Sequence, residues 1–163
     1  MPLYRRHKAA RCGLSRPRDP ATPQRAPMPT LFTKIIAGQI PAAFVFQDEL
    51  WVGFLDIHPS SAGHALLVPV AEGGSVADLP AATLATLGDR LARLIRAVKT
   101  GTGCDDVHVV VNDGPAASQE VPHAHLHIIP RWTGDDRRPF AQKHVYAEGE
   151  LAVMAARLAA AWK

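Results

Sequence analysis

The sequence predicts an α+β fold in which an antiparallel sheet of about five strands packs against one long crossing helix and a C-terminal helix. Short apolar or alternating segments recur along the chain between turn-forming residues, which is typical of strands. One segment, from Pro80 to Lys99, instead has apolar residues spaced three and four apart, as on the buried face of a helix. Tight turns between the strands favour antiparallel pairing, because parallel strands need longer crossover connections.

Each predicted element has a local signal. Thr30 is a suitable N-cap for a short helix from Leu31 to Ala37, and Gly38 can end that helix in the left-handed conformation. The remaining predicted elements are strands at Val45 to Gln47, Trp51 to Leu55, Ala65 to Val70, Val107 to Asn112 and His123 to Pro130, and a helix from Gly149 to Trp162. The sequence contains no transmembrane stretch, internal repeat or glycine-rich P-loop.

Composition divides the chain at about residue 28. Residues 1–27 hold seven basic residues and one acidic residue, a net charge of +6, whereas residues 28–163 have a net charge of −3. Six of the fourteen prolines lie in the first 29 residues. We therefore expect a basic, proline-rich disordered extension over residues 1–27, followed by one domain over residues 28–163. The extension lacks the apolar core of a secretory signal and weakly resembles a transit peptide or a nucleic-acid-binding arm. A start at Met28, with the extension not translated, is the alternative interpretation.

The segment Val-Pro-His-Ala-His-Leu-His-Ile-Ile-Pro-Arg, residues 121–131, is the most informative in the chain. Side chains on a strand alternate between faces, so one strand would carry a chemical face and a packing face. The chemical face consists of His123, His125 and His127, and the packing face of Ala124, Leu126 and Ile128. Imidazole changes its charge near neutral pH, so three in a row indicate chemistry.

Metal binding is one interpretation of these histidines. At about 3.3 Å per residue, His123 and His127 start roughly 13 Å apart, whereas zinc ligands lie about 3 to 3.5 Å from each other. The three cannot readily share one ion. Two neighbours could bind a metal if His64, His108 or Glu120 supplied a third ligand. A metal-dependent hydrolase and a non-catalytic nucleotide-binding module therefore stay open as alternatives.

Two further segments flank the histidines. Residues 109–120 pass from a β-branched run into Asn112-Asp113-Gly114 and then into polar residues, a loop whose main-chain N–H groups suit a phosphate. Residues 54–69 suggest strand, turn and strand, with Asp56 and His64 beside the turn. With these segments in this order, the chain resembles the histidine triad (HIT) family of nucleotide hydrolases and transferases from about Leu31 to Arg131.

The resemblance implies a role for each matching residue. His125 matches the nucleophile that attacks the α-phosphorus of a nucleotide and becomes a covalent nucleotidyl-histidine. His123 matches the residue that holds the nucleophile's ring through a hydrogen bond, and His127 and His64 match residues on the phosphate and leaving-group side. The implied substrate-binding residues are Asp56 for the ribose, Ile57, Phe32 and Ile36 for the base, and Asn112, Gln119 and Glu120 near the phosphate.

These residue types suit a two-step displacement. A histidine nucleophile replaces one difficult attack by water on an anionic phosphorus with two easier steps, and the scheme requires no metal. Related transferase branches often replace the third histidine by glutamine, so His127 favours a hydrolase. The implied protein is a cytoplasmic hydrolase of nucleoside 5′-monophosphate conjugates, of the adenosine phosphoramidate or dinucleoside polyphosphate type. It is expected to be a homodimer whose two sheets join, to have no cofactor, and to need neither membrane nor nucleic acid.

Some residues depart from the family pattern. Many bacterial members carry a Cys-x-x-Cys-like stretch that contributes to a structural zinc site, but the equivalent segment here is Thr30-Leu31-Phe32-Thr33. Threonine cannot supply the thiolates that such a site needs. Ser118 and Glu120 differ from the commoner glycine-glutamine-serine or -threonine pattern. The two cysteines, Cys12 and Cys104, are widely separated, which suits a reducing compartment. Three further histidines are interpreted as surface or structural residues: His58, His108 and His144.

Overall fold

The computed structural model describes residues 28–135, 138–140 and 143–163. The expected basic extension and Cys12 therefore lie outside the described residues. The helices and strands occur in the order α1 (Leu31–Ile36), β1 (Phe44–Gln47), β2 (Trp51–Leu55), β3 (Ala65–Pro69), α2 (Ala81–Thr102), β4 (Asp106–Val111), β5 (Leu126–Arg131) and α3 (Glu150–Ala161). Short 3₁₀ turns lie at Val76–Asp78 and Pro115–Ala117.

The five strands form one sheet in the order β1-β2-β3-β5-β4, with every neighbouring pair antiparallel. β5 lies between β3 and β4, and its His127 is opposite Leu66 on one side and Val110 on the other. The predicted α+β class is confirmed, as are the five-stranded antiparallel sheet, the long helix and the C-terminal helix. Among the described residues, no helix is long and apolar enough to cross a membrane.

Different layers cover the two faces of the sheet. On one face, side chains of α2 and α3 pack with residues such as Trp51, Leu67 and Ile128 to form the larger core. On the other face, Phe32 and Ile35 of α1 form a smaller core with β2 and β3. Successive residues of these central strands point to opposite faces, so both strands are buried along their whole length.

The histidine segment follows the predicted alternation, but the strand begins later than predicted. Ala124, Leu126 and Ile128 lie in the larger core as expected. β5 starts at Leu126 rather than at His123. The hydrogen-bond ladder ends there because the next groups bond elsewhere: the Ala124 N–H donates to Gly73 O at 2.6 Å, and Pro69 O accepts from the ring of His123 at 2.9 Å.

Helix α2 runs to Thr102, three residues beyond the predicted end at Lys99. Gly103, with φ at 70°, then ends it in the left-handed conformation. The extra turn packs against α3 at Gly101, where an added Cβ would lie 2.7 Å from Leu158 Cδ1. The close approach of the two helices therefore requires glycine at residue 101. The other predicted boundaries differ from the observed ones by at most one residue.

Candidate active site

His125 has one ring nitrogen held by a hydrogen bond, and its other ring nitrogen makes no hydrogen bond to the described part of the protein. Its Nδ1 lies 2.7 Å from the main-chain carbonyl of His123, which can only accept a hydrogen bond. Nδ1 therefore carries the hydrogen, and in the neutral ring Nε2 keeps a lone pair. Phe32 of α1 packs edge-on against this ring with the centroids 5.0 Å apart. The result is an oriented imidazole with one nucleophilic nitrogen.

The ring of His123 is tied at both nitrogens. Nε2 donates to Pro69 O at 2.9 Å, and Nδ1 lies 2.9 Å from the hydroxyl of Thr30 at the start of α1. The resemblance led us to expect that this residue holds the nucleophile's ring. It does so through its main-chain carbonyl, because both nitrogens of its own ring are already engaged.

His64 and His127 form a directed pair. The main-chain N–H of Ser60 donates to His64 Nδ1 at 3.1 Å, so in the neutral ring the hydrogen is on Nε2. That Nε2 lies 3.0 Å from His127 Nδ1 and donates to it. His127 then carries its own hydrogen on Nε2, at the far end of the pair. The ring centroids of His125 and His127 are 4.8 Å apart, so the pair lies beside the ring of His125.

All four histidines are buried, and burial disfavours the charged form of His64, His125 and His127. His64 and His123 are at most 1% exposed, and even His127 is only 8% exposed. Burial, with the neighbouring rings, lowers the pKa of His127 to about 3 and that of His64 to about 4. Burial also lowers the pKa of His125, although its bond to the His123 carbonyl opposes this. Phe32 of α1 packs against the rings of His123 and His125, and Phe140 packs against those of His64 and His127.

Asp56 lies at the end of β2 and points toward the histidine pair. Its Oδ1 accepts from the main-chain N–H of His58 at 2.8 Å, as in an Asx turn, and its Oδ2 lies 3.7 Å from His64 Nδ1. Ile57 is 66% exposed and is therefore free to contact a ligand. On the opposite side of the site, Phe32 is buried and Ile36 packs partly buried against the same core.

The loop before β5 is held by one side chain. Gln119 accepts from the main-chain N–H of Gly114 at 2.8 Å and donates to the carbonyls of Gly74 and His123 at 2.8 and 3.3 Å. Its amide therefore fixes the loop that leads into the histidines. The side-chain amide of Asn112 lies 3.5 Å from Ser118 O, and Glu120 is exposed.

Two residues at the site were not predicted from the sequence. Thr30 was interpreted only as a helix cap, yet its hydroxyl also contacts His123. Phe140 packs its ring edge-on against His127, with the centroids 4.9 Å apart, and has a φ of 61°. Nearby, the hydroxyl of Tyr146 accepts from the Gly63 N–H at 2.7 Å. The C-terminal connection thus covers one side of the His64–His127 pair, and no motif in the sequence marked it.

Among the described residues, one group has donor atoms close enough to hold a metal ion: Asp56, His64 and His127, within 4.8 Å of one another. It contains one histidine of the triad, whereas the alternative interpretation required two neighbours. Both nitrogens of His64 and Nδ1 of His127 already make hydrogen bonds, so a metal here would have to break the directed pair.

The other three histidines of the described residues lie apart from these rings. His58 is exposed, and His108 lies on β4 opposite Ile129. The main-chain N–H of His144 donates to Pro59 O at 2.8 Å, and its ring packs on Tyr146. The structure agrees with their interpretation as surface or structural residues.

The fold and the four convergent imidazoles define an α+β protein with a histidine-based site under a short helix. The HIT domain model matches residues 37–134. An uncharacterized HIT-like protein of Mycobacterium tuberculosis is 40% identical over 111 residues, covering 66% of this chain and 75% of that protein. The adenosine 5′-monophosphoramidase HNT1 of Saccharomyces cerevisiae is 37% identical over 101 residues, covering 62% of this chain and 61% of the yeast protein.

A crystal structure of a zinc-bound histidine triad family protein from Mycobacterium smegmatis also resembles this one. The TM-score is 0.68 at 34% identity, over 80% of this chain and 93% of that protein. The chain belongs to the HIT family.

Proposed function

We propose that the protein is a nucleotide hydrolase that cleaves the phosphoramidate or phosphoanhydride bond of nucleoside 5′-monophosphate conjugates through a covalent nucleotidyl-histidine on His125. The observation that carries the proposal is the ring of His125, whose Nδ1–H is held by the His123 carbonyl while Nε2 keeps its lone pair. Its lowered pKa favours the neutral, nucleophilic form at neutral pH. The relationship to an adenosine 5′-monophosphoramidase supports this class of reaction.

In the first step, the lone pair of His125 Nε2 attacks the α-phosphorus. A nitrogen–phosphorus bond forms, the bond to the leaving group breaks, and the leaving group departs with its electron pair. The ring becomes positively charged, and Nδ1–H on the His123 carbonyl stays in place. A phosphate leaving group needs no proton, whereas an amine takes one.

The His64–His127 pair is the proposed proton source. It is neutral in the free protein, but the negative charge of a bound phosphate favours its protonated form. The pair then gives this proton to a departing amine through His127 Nε2. In the second step it takes a proton from the attacking water, the nitrogen–phosphorus bond breaks, and the electron pair returns to His125. With an amine leaving group the pair loses a proton in the first step and regains one in the second, so the two steps together leave it as it began. With a phosphate leaving group the pair takes part in its neutral form and releases the proton of the water to solvent afterwards.

Substrate binding is assigned to the residues around these rings. Asp56 is proposed to accept hydrogen bonds from the ribose hydroxyls, and Phe32, Ile36 and Ile57 to flank the base. The phosphate oxygens would meet main-chain N–H groups and side chains of the loop, where Asn112, Gln119 and Glu120 lie. In this assignment Gln119 acts mainly by holding the loop, because its amide already bonds three main-chain groups.

The test is to trap the intermediate. Protein mixed with a stoichiometric amount of α-phosphate-labelled adenosine phosphoramidate and quenched after milliseconds should carry label on His125, identified by peptide mapping. A phosphohistidine-type bond is acid-labile and base-stable, so the quench must be alkaline for mapping and acid must release the label. Turnover without label under these conditions would indicate direct attack by water.

A metal-dependent hydrolase is the second candidate, favoured by the grouping of Asp56, His64 and His127. It predicts one tightly bound metal ion per chain and loss of activity after EDTA treatment. The proposed mechanism predicts unchanged kcat after the same treatment. Metal analysis of the purified protein, followed by assay with and without EDTA, separates the two.

Two further expectations belong to the same proposal: a homodimer whose sheets join, and a cytoplasmic location. The edge strand supports the first. Among the described residues β4 pairs only with β5, and its Val109 and Val111 are each more than 40% exposed. An unpaired edge with exposed apolar side chains is a suitable surface for strand pairing with a second copy. Light scattering during size-exclusion chromatography would measure the mass directly.

A further inference from the structure

The cap of α1 and the first histidine of the triad are joined by a chain of side-chain hydrogen bonds. Thr30 Oγ1 lies 2.9 Å from His123 Nδ1 and 2.9 Å from Thr33 Oγ1. The hydroxyl of Thr33 donates in turn to Glu72 Oε1. Glu72 follows β3, the strand whose Pro69 carbonyl accepts from the other nitrogen of His123. The chain therefore connects the two sides of one imidazole to the same segment, residues 69–72.

Thr30 is the centre of this set of contacts. A hydroxyl has one hydrogen and two lone pairs. Thr30 Oγ1 accepts from the Thr33 N–H at 3.1 Å and lies 2.9 Å from both the Thr33 hydroxyl and His123 Nδ1, and its one hydrogen can be donated to only one of these two. Valine has the same shape as threonine but can make none of these contacts, whereas serine can make all three. A comparison of the valine and serine variants at residue 30 therefore measures the contribution of the hydroxyl alone.

These residues do not fit the zinc ion that related proteins carry. Thr30 and Thr33 have the spacing of a Cys-x-x-Cys pair, and His123 adds an imidazole beside them. A related protein of Mycobacterium smegmatis is zinc-bound. Structural zinc sites are built from thiolates and imidazoles, and two neutral hydroxyls cannot replace the thiolates. The two hydroxyls instead contact each other, His123 and Glu72.

We propose that Thr30, supported by Thr33 and Glu72, is a positioning residue for the nucleophile His125. In this part of the fold, the contacts of these side chains replace a structural metal ion in holding His123 in place. It acts through His123: a ring fixed at both nitrogens fixes the peptide group whose carbonyl holds His125 Nδ1. This inference rests on the proposed role of His125. Thr30, Thr33 and Glu72 do not touch the reacting atoms, so loss of their contacts should lower kcat and leave KM nearly unchanged.

The first experiment compares Thr30→Val, Thr30→Ser and Thr86→Val. Thr86 is the matched control, because its hydroxyl accepts from Trp51 Nε1 at 3.0 Å and Trp51 belongs to the core on the other face of the sheet. Thr30→Val should lower kcat about tenfold, because the ring of His123 loses the hydroxyl that contacts its Nδ1, and Thr30→Ser should keep most of the wild-type kcat. Thr86→Val should lower the melting temperature but not kcat. Equal kcat in Thr30→Val and Thr86→Val would overturn the proposal.

A second readout does not depend on catalysis. The ¹⁵N chemical shifts of the His123 ring should change in Thr30→Val, because Nδ1 loses its hydroxyl partner, and should remain as in the wild type in Thr86→Val. If the wild-type protein formed no label on His125, the proposed function would fail while this measurement could still succeed. Unchanged ring shifts in Thr30→Val would instead reject the positioning chain itself.

The double variant Thr30→Cys/Thr33→Cys tests whether a bound metal ion can replace the contacts of the two hydroxyls. The double variant should bind one zinc ion per chain, and cobalt in its place should give a thiolate charge-transfer absorption. Its kcat should be low without metal and should rise several-fold when zinc is added, while zinc should not raise the kcat of the wild type. Failure to bind metal, or binding with no recovery of kcat, would contradict the proposal that the side-chain contacts of Thr30 and Thr33 replace a metal ion.

Discussion

The two rings proposed to act on the substrate are held in different ways. His125 is oriented by a main-chain carbonyl two residues earlier in the chain. His127 is oriented by the side chain of His64, 63 residues away in sequence. A main-chain anchor cannot be removed by a substitution at the anchoring residue, whereas a side-chain anchor can. The nucleophile is thus protected from change at its neighbours more directly than the donor pair is.

The position of the hydrogen on each of the two rings is also determined differently. The hydrogen on His125 Nδ1 is set by local geometry, because a carbonyl only accepts. The hydrogen on His127 Nε2 depends on a sequence of contacts that begins at the Ser60 N–H and passes through His64. The His64–His127 pair can gain or lose a proton as a unit, whereas His125 cannot gain a proton without losing its nucleophilic lone pair.

Loss of the nucleophile should have the largest effect. His125→Asn should lower kcat at least about 100-fold, toward the detection limit, because no other group lies ready to form the covalent bond. Because His125 is only 5% exposed, the melting temperature must be measured beside kcat. A folded His125→Asn protein with more than a few per cent of the wild-type kcat would refute the assignment.

Loss of the side-chain anchor should have the next largest effect. His64→Ala should lower kcat about 10- to 100-fold, because His127 then lacks the partner that fixes its hydrogen on Nε2. His127→Asn should cost a similar amount. In the double variant the losses should be far from additive, since both changes disable one unit. Kinetics of the two single variants and the double variant complete the cycle, and full additivity would mean that the rings act independently.

The ribose assignment predicts an effect on specificity. Wild-type protein should prefer an adenosine over a 2′-deoxyadenosine phosphoramidate by about 1 to 3 kcal/mol in kcat/KM, because Asp56 would lose a hydrogen-bond partner. Asp56→Ala should abolish that preference. Asp56→Asn is the matched variant, which keeps the bond to the His58 N–H and the local turn. Equal rates on both sugars in the wild type would leave Asp56 as a turn residue only.

Stability should fall on mild acidification. In the folded state the pKa values of His64 and His127 are about 4 and 3, below the ordinary value of 6.5 that applies when the chain is unfolded. The unfolded chain therefore binds more protons below pH 6.5, so this contribution to stability is complete above that pH and is lost as the pH falls. By pH 5 the loss should be about 2 kcal/mol for each histidine, about 4 kcal/mol for the pair, measured by urea unfolding. His64→Gln/His127→Gln should be less sensitive to pH over this interval; an equal slope would assign the effect to other groups.

Removal of residues 1–27 should have the smallest effect. A variant that starts at Met28 is expected to keep the melting temperature and kcat/KM of the full chain, because the basic extension is expected to bury little surface. Neither reacting ring depends on it in the proposed mechanism. A melting temperature several degrees lower after truncation would show that the extension packs on the domain.

The fold and the histidine set were predictable because they depend on local patterns. The spacing of leucines indicated α2, alternation placed Ala124, Leu126 and Ile128 in the core, and turn residues gave the short connections. Glycine near a predicted helix end was also reliable, as Gly38 shows with a φ of 71°. In each case one interaction over a few residues determines the outcome.

The missed features depend on contacts between distant segments. The burial of the histidines follows from α1 lying over the sheet, and a sequence pattern gives no sign of where a short helix will pack. The contact between Thr30 and His123 joins residues 93 positions apart. The late start of β5 follows from Pro69 O accepting from a side chain rather than from the ladder. Such choices are made by tertiary packing, after local preferences have been met.

The position of β5 between two partners limits how the chain can vary in length. Val110 and Leu66 both lie opposite His127, so the register of this strand is fixed from two sides at once. A shift of one residue would turn Ile128 toward the reaction site and His127 into the larger core. Insertions in the loop between β4 and β5 should therefore be accepted only where the loop itself can bulge outward. A comparison of loop lengths among proteins with this fold would find variation at the outer turn near Gly114 and little next to His123.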